Sequence, residues 1–462
     1  ENAIQVVGES DGKFDNGDYI LFYAVGTRPW QYKPSATNPE FNIKLNLYDN
    51  HAWYFLTTNG GTGLRMSEQA SSPATYVTEE FDDFARIEDE KTNLLNFNSS
   101  SQGSGKNWFG DYFYQSREKS YDFNFPNIVD TSFARIRGEF VGRSDVNQSL
   151  RFEVAGSTFS KSIGNVTTSD GDSRYAATAV IADKFKPNSD QLKVVVKYPE
   201  VSAQSEGWLD YIELNVRRKL IMSGTSMAFR DSRTLTQPSA IFRMKNAPAN
   251  LKVWDITNPQ TPFLQQFTQS GSDLEFGALT QGTLRDFIAI TEGAAFPKPE
   301  VTAGKIGNQN IHGLQNLDMV IVYHPEFETA AFRLTEHRRT HSGLEIKAVN
   351  INEIFNEGSS GAKDPTAIRD FARMLLERNP ERFQYLLLFG DGSFDPKNNS
   401  NSTENKDFIP VFETAESFSP INAFPSDDYY ALLSPDEGGA LLGALDISVG
   451  RLVPRKADEA DA

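Results

Sequence analysis

The first three hundred residues contain short segments in which apolar and polar residues alternate, separated by Gly, Asn, Asp and Pro. Such segments predict β-strands, because successive side chains of a strand point to opposite faces of its sheet. The predicted strands are 18–23, 53–57, 134–141, 192–198, 209–216 and 286–290. Short strands spaced in this way are typical of β-sandwiches.

The pattern changes after residue 310, where unbroken apolar runs alternate with segments of helical periodicity. Unbroken runs predict strands that are buried on both faces of a sheet. The predicted strands are 317–323, 344–349, 385–389 and 445–449, with 429–433 as a hairpin arm. Helices are predicted at 326–339 and after Asp364-Pro365, which combines an N-cap with a first-turn proline. This alternation predicts an open parallel sheet.

The chain has 462 residues, too many for one hydrophobic core, so we expect two or three domains. A loop at 96–106 rich in Ser, Gly and Asn places a boundary near residue 120. A second connection with Gly and Pro precedes the α/β pattern. We therefore predict a multidomain fold, with two β-sandwich-like domains at 1–120 and 121–300 followed by an α/β domain at 310–462.

Charge and composition exclude several classes of function. Forty-five Lys and Arg against 62 Asp and Glu give a net charge of −17, and the basic residues are dispersed, which excludes a nucleic-acid partner. The chain contains no Cys, which removes disulfides, thiolate metal sites and a thiol nucleophile. No apolar stretch is long enough to predict a transmembrane helix.

Carboxylates follow two of the predicted elements of the α/β domain. Asp391 lies between two glycines directly after the strand at 385–389, and ligands of open α/β sheets bind at the carboxyl ends of strands. Asp427 and Asp428 form a second acidic pair. Two such loops could bind a cation or a basic peptide side chain. The alternative for Asp391 is a turn residue that caps its own loop.

Three further patterns each allow a functional and a structural interpretation. Asp11, Asp15 and Asp18 could offer oxygen ligands to calcium, or could flank an Asn16-Gly17 hairpin turn. His337 and His341 have the spacing of a metal pair on a helix, but Ser342-Gly343 ends that helix, where histidine also complements the helix dipole. Ser226 lies in SGTSMA, a string found around serine nucleophiles, yet the flanking sequence favours a surface turn.

The order of several strings resembles the gingipain-type cysteine peptidase family. In the α/β part these are 318–325 (DMVIVYHP), 387–396 (LLFGDGSFDP), 426–429 (SDDY) and 446–451 (DISVGR). In the β part, 11–23 and 207–214 are similar to the amino-terminal region of one branch of the family. That branch acts as the C-terminal signal peptidase, or sortase, of the type IX secretion system.

The resemblance implies a caspase-like fold and a cell-surface, outer-membrane-associated endopeptidase. Such an enzyme removes the C-terminal sorting domain of secreted cargo and transfers the new carboxyl end to anionic lipopolysaccharide. It works with an outer-membrane β-barrel anchor protein (PorV-like) and requires no cofactor. Asp391, Asp427 and Asp428 match the loops beside its active site.

The catalytic His and Cys of the family lie in a second α/β subdomain, and neither is present in these 462 residues. No catalytic residue can be assigned, and we expect this chain alone to be inactive, as part of a longer protein. The alternative is a non-catalytic surface module that binds carbohydrate or protein. Trp30, Trp53, Trp108 and Trp208 would then be stacking platforms, although core packing is the favoured role for these residues.

Overall fold

The computed structural model describes residues 1–35, 40–58, 60–96, 105–302 and 304–461. Most of the predicted loop at 96–106 therefore lies outside the described residues, as does Ala462. The chain begins with two antiparallel ribbons, in which neighbouring strands pair with each other. Their strands are β1 (Ile4–Val7), β2 (Tyr19–Phe22), β3 (Trp30–Lys33) and β4 (Glu40–Ile43).

The predicted strand at 53–57 is wrong, because these residues are not assigned to a strand. Their polar groups bond elsewhere: the Trp53 Nε1 donates to Asp49 Oδ2 at 2.7 Å, and the Tyr54 hydroxyl accepts from the Val25 amide at 2.8 Å. The side chains therefore tie an extended segment to its surroundings without a β-ladder.

The first sandwich consists of two antiparallel sheets. Two short strands, β5 (Glu68–Gln69) and β6 (Tyr76–Thr78), precede it and belong to other sheets. Its strands are β7 (Glu80–Glu88), β8 (Tyr112–Phe113), β9 (Glu118–Asn124), β10 (Ala134–Arg143), β11 (Gln148–Val154), β12 (Ser157–Ile163), β13 (Ala177–Phe185), β14 (Gln191–Lys197) and β15 (Glu206–Lys219). One sheet has the order β13-β10-β15-β7 with β8 beside β15, and the other has the order β12-β11-β14-β9.

Alternating side chains of the two sheets meet in the core of the first sandwich. Phe140, Phe152, Val194 and Ile212 are fully buried there. Burying one such side chain is worth about 1.5–3 kcal/mol, so facing apolar rows hold the sheets together. The strands predicted at 134–141, 192–198 and 209–216 are confirmed, with β15 extending beyond its prediction at both ends.

The second sandwich combines later strands with the two short strands that precede the first. Its later strands are β16 (Ser226–Arg230), β17 (Ser239–Met244), β18 (Leu251–Asp255), β19 (Phe263–Gln265), β20 (Thr268–Ser270), β21 (Asp273–Leu279) and β22 (Asp286–Thr291). The sheets have the orders β16-β22-β18-β19-β5 and β20-β21-β17-β6. Four phenylalanines, Phe229, Phe242, Phe276 and Phe287, form its centre.

The sheets divide the β part differently from the boundary expected near residue 120, which falls inside β9. Strand β7 pairs along its length with β15, so the first sandwich begins at residue 80. Strands β5 and β6 instead run parallel to β19 and β17 of the second sandwich. Pairing between strands distant in sequence leaves no local signal, so loop composition alone could not locate this division.

The α/β part contains the predicted open parallel sheet. Its strands are β23 (Met319–Tyr323), β24 (Ile346–Asn350), β25 (Tyr385–Phe389) and β28 (Ser448–Leu452), and β26 (Phe412–Glu413) and β27 (Pro425–Ser426) form a small ribbon. The strands of the sheet are parallel and have the order β24-β23-β25-β28. Its helices are α1 (Glu328–Ser342), α2 (Ile351–Gly358), α3 (Pro365–Arg378) and α4 (Ala457–Ala460). Alternate residues of β23 face opposite layers, with Ile321 packing towards α1 and Val320 towards α2 and α3.

Local signals place the ends of these elements. The Asp364 carboxylate accepts the Thr366 amide at 2.8 Å, which confirms the predicted N-cap of α3. The last strand begins three residues later than predicted, because the Asp446 amide and carboxylate bond to Ala431 and Leu433 instead of the sheet. Residues 429–433 are not a hairpin arm, since Asp427–Tyr430 forms a turn of 3₁₀-helix. Within the described residues no helix could span a membrane.

Candidate functional site

Two glycines shape the loop that follows β25. Gly390 has φ +154°, and a Cβ there would lie 2.9 Å from the Phe408 Cβ. A Cβ on Gly392 would lie 2.6 Å from the Val411 Cγ1. The Asp391 carbonyl between them accepts the amides of Phe408 and Ile409 at 3.0 and 3.1 Å. Glycine is therefore needed on both sides of Asp391 so that the two loops can approach each other closely.

A groove of about 570 Å³ opens at this end of the sheet. It lies at the carboxyl ends of β25 and β28, and open α/β sheets bind ligands beyond the carboxyl ends of their strands. Apolar side chains form most of its walls. The residues that line the groove are Asp391, Gly392, Ser393, Phe394, Val411, Pro420, Ala423, Phe424, Pro425 and Arg451.

Arg451, on β28, ties together the loops under the groove. Its guanidinium donates to Asp427 through Nη2 at 2.6 Å and Nε at 2.8 Å. It also donates to the carbonyls of Gly390, Ile409 and Pro410 at 3.0, 2.8 and 3.2 Å. The side chain is only 9% exposed. Burial opposes its charge, but the bonds to Asp427 outweigh burial and raise the pKa of Arg451 above its usual value.

The predicted acidic residues occupy three different environments. Asp391 is partly exposed in the groove, where its Oδ1 accepts the Gly392 amide at 2.9 Å and its Oδ2 lies 3.4 Å from Arg455 Nε. Asp427 reaches the groove through its ion pair with Arg451. Asp428 is exposed on the adjacent 3₁₀ turn, which Ser426 caps. Of the three, only Asp391 lines the groove; Asp427 contacts the lining residue Arg451 from outside, and Asp428 does neither.

A partly buried ion pair that contacts the groove residue Ser393 was not predicted from the sequence. The Lys363 Nζ lies 2.7 Å from Asp407 Oδ2, and Asp407 Oδ1 accepts the Ser393 amide at 3.1 Å. Burial raises the pKa of Asp407, although Lys363 opposes the shift. The pair is formed by residues distant in sequence and lies in no motif, so no sequence signal could have revealed it.

His324 was not predicted as a site residue, although it directly follows β23, where the strand order of the sheet reverses. Its ring lies 4.8 Å from that of Phe408, and its Nδ1 accepts the Glu326 amide at 3.4 Å. Burial lowers the pKa of His324, which favours the neutral imidazole. Its position after an unbroken apolar strand was the signal available in the sequence.

The candidate metal residues are not brought together as a site. Asp11 and Asp18 accept backbone amides of their own loop, from Lys13 and Asp15, at 3.0 and 2.6 Å. His337 and His341 lie on α1 with rings 4.1 Å apart, just before Gly343 ends the helix. In the part of the chain that the structure describes, no three His, Cys, Asp or Glu residues form a group suited to a metal ion.

Ser226 lies in a strand of the second sandwich, and two of the four tryptophans are buried in cores. Ser226 opens β16 of the second sandwich and pairs with Ile290, so it belongs to a strand and not to the expected turn. Trp108 and Trp208 are buried, which confirms core packing for both. Trp30 lies 3.9 Å from the ring of Phe84, and Trp53 is half-buried beside Asp49.

The groove can hold an extended, largely apolar segment with a polar or cationic group near Asp391. Residues 312–462, which include every residue that lines it, match the model of Peptidase family C25. The α/β part is thus a family C25 domain. The match covers about a third of the chain and does not extend to the sandwiches. This bears out the peptidase resemblance for the segment that carries Asp391 and Arg451.

The whole chain has the fold of the dimeric latent PorU from Porphyromonas gingivalis, a crystal structure. The match has a TM-score of 0.80 at 24% identity and covers 100% of this chain and 44% of PorU. The chain thus spans less than half the length of that protein. No curated protein sequence matches the chain.

Two carbohydrate-binding modules overlap the chain only in part. A CBM36-1 domain of a xylanase from the Trinervitermes trinervoides hindgut metagenome has 10% identity, covers 29% of this chain and 96% of its own, and has a TM-score of 0.18. The CBM35 of Abf62 from Cellvibrio japonicus has 13% identity, 29% and 91% coverage, and the same TM-score of 0.18. Scores this low carry no functional argument.

Proposed function

We propose that this chain is the amino-terminal part of a type IX secretion signal peptidase, which cleaves the C-terminal sorting domain from secreted cargo at the cell surface. The groove carries the proposal, because it lies in the family C25 segment at the ligand-binding end of a parallel sheet. The likeness of all of this chain to part of the PorU fold supports it. In this proposal the enzyme also attaches the cargo to anionic lipopolysaccharide and associates with an outer-membrane β-barrel anchor protein.

The groove contributes to substrate binding and not to bond cleavage in this proposal. Its walls would accept apolar side chains of the cargo, and the Asp391 carboxylate would bind a polar or positively charged group. Acyl transfer by a cysteine peptidase needs a thiolate, and these 462 residues contain no Cys. The nucleophile would have to come from outside them, and the chain alone should be inactive.

The test uses the protein expressed from its complete gene, together with the 462-residue chain. The complete protein should cleave a reporter fused to a C-terminal sorting domain, and iodoacetamide should abolish cleavage. The shorter chain should show only background turnover. Turnover by the Cys-free chain, or cleavage by the complete protein that resists iodoacetamide, would refute the proposal.

Substitution of Asp391 tests the role of the groove. Asp391→Asn should raise KM for the reporter by about 10-fold or more, because a hydrogen bond to a charged group is worth about 1.5–3 kcal/mol. The matched control is Asp122→Asn, at an exposed carboxylate of β9 in the first sandwich. Equal KM values in the two variants would show that substrate does not contact Asp391.

A further inference from the structure

The walls of the groove are held by the first sandwich, although its floor belongs to the α/β sheet. The ring of Phe394, in the groove wall, stacks on Trp108 with centroids 6.2 Å apart and an interplanar angle of 4°. Trp108 is 7% exposed and comes from the segment before β8. One wall of the groove therefore rests on a side chain from another domain.

The backbone around Trp108 is fixed to the first sandwich. The next residue, Phe109, exchanges two hydrogen bonds with Thr92, with N–O distances of 2.8 and 2.9 Å. The Gly110 amide then donates to the Leu209 carbonyl of β15 at 2.7 Å. Trp108 is thus attached to a rigid sheet and can hold Phe394 at a defined position.

A buried ion pair fastens the same loop to the same sandwich. The Lys397 Nζ lies 2.7 Å from the Oε2 of Glu90, a residue that follows β7. The two side chains are only 4% and 10% exposed. Breaking such a buried pair is costly, because the remaining charge has no partner. The loop that carries Phe394 is therefore held at two points on the first sandwich.

The wall segment that contains Pro420, Ala423, Phe424 and Pro425 has a similar attachment. Phe418 and Ala423 pack in one cluster with Phe109 and Trp208 of the first sandwich. The Tyr175 amide donates to the Phe418 carbonyl at 2.7 Å. Both walls of the groove are thus anchored outside the domain that forms its floor.

We propose that the first sandwich is a structural part of the substrate groove and that Trp108 is a positioning residue, acting through Phe394 to set the spacing of its walls. The inference rests on the proposed function for its substrate, a peptide segment. Its physical content is the placement of the loop at 393–400, which can be measured without any catalytic assay.

The first experiment follows hydrogen exchange in the 462-residue chain. In Trp108→Leu, amides of the loop at 393–400 should exchange at least 10-fold faster, while those of α3 remain unchanged. The control is Trp30→Leu, which disrupts a tryptophan–phenylalanine contact between β3 of the amino-terminal ribbon and Phe84 of β7. Trp108→Phe should restore slow exchange, because an aromatic ring again supports Phe394.

The second experiment measures turnover by the complete protein. Trp108→Leu should raise KM for the reporter about 3- to 30-fold and leave kcat within 2-fold, whereas Trp30→Leu should change neither. Should Trp108→Leu fail to fold, the paired change Lys397→Met and Glu90→Gln releases the same loop without leaving a buried charge. It should give the same exchange and KM changes.

The outcomes separate the two proposals. Unchanged exchange at 393–400 in the Trp108 and paired variants would overturn the positioning role, whatever the protein does. So would a loss of kcat with KM unaltered. Faster exchange confined to the loop, in a complete protein that cleaves no sorting domain, would uphold the positioning role and refute the proposed function.

Discussion

Replacing Arg451 with methionine removes the guanidinium that joins the loops under the groove. Asp427 would lose both of its bonds to Arg451, and the carbonyls of Gly390, Ile409 and Pro410 would lose a donor. Removing one partner of a buried ion pair costs about 3–5 kcal/mol. We expect a loss in this range, because Arg451 is almost fully buried.

Native-state hydrogen exchange measures this loss locally. Amides of β25 and β28 in Arg451→Met should exchange roughly 100- to 5,000-fold faster, which corresponds to the expected change in free energy. Adding Asp427→Asn should recover about 1 kcal/mol or more, because no unpaired charge then remains at the site.

The control is Arg373→Met, which removes a cation of the same domain from an exposed pair with Glu377 on α3. An exposed helical pair contributes about 0.5 kcal/mol or less. If Arg451→Met costs no more than Arg373→Met, or if Asp427→Asn deepens the loss, Arg451 does not hold the groove together.

Two further predictions concern stability. Burial and Glu139 raise the pKa of Asp210 from 3.8 to about 8, so the folded chain retains a proton and becomes less stable as pH rises between these values. The free energy of unfolding of Asp210→Asn, measured in urea, should therefore rise relative to that of wild type by up to about 4 kcal/mol between pH 5 and 8.5. A difference between the two proteins that does not change with pH would contradict this prediction. Gly390→Ala should lower thermal stability by about 1–3 kcal/mol, from positive φ and close contact with Phe408, whereas Gly171→Ala, where a Cβ meets nothing within 4 Å, should be nearly neutral. Equal melting temperatures would contradict the second prediction.

The parallel sheet could be predicted because its buried strands are recognisable from their own residues, without knowledge of their partners. The runs that became β23 and β25 are continuously apolar, and Asp364-Pro365 fixed the start of α3 by local bonding. The segment at 53–57 has the same composition as a strand. It failed as a prediction because no partner strand pairs with it, and partners are not visible locally.

A site residue could be predicted only where its place in the sequence, directly after a strand, located it in the fold. Asp391 could be placed at the carboxyl end of the sheet, because it lies between two glycines directly after a buried strand. The other contacts join residues that only folding brings together. These are the ion pairs Asp427–Arg451 and Lys363–Asp407 and the ring contact between Trp108 and Phe394. Such contacts depend on how whole elements pack and leave no pattern in the sequence.

The parallel pairing of β5 and β6 with the second sandwich has a consequence for synthesis on the ribosome. All strands of the first sandwich lie in one continuous stretch, so it can close as soon as β15 emerges. Tyr76 of β6 must wait for Ala240, more than 150 residues later. At about 5–20 residues per second, β6 stays unpaired for on the order of ten to thirty seconds after it is made. During that interval a completed domain separates two unpaired strands from their partners, so the nascent chain would be most exposed to mispairing at β5 and β6.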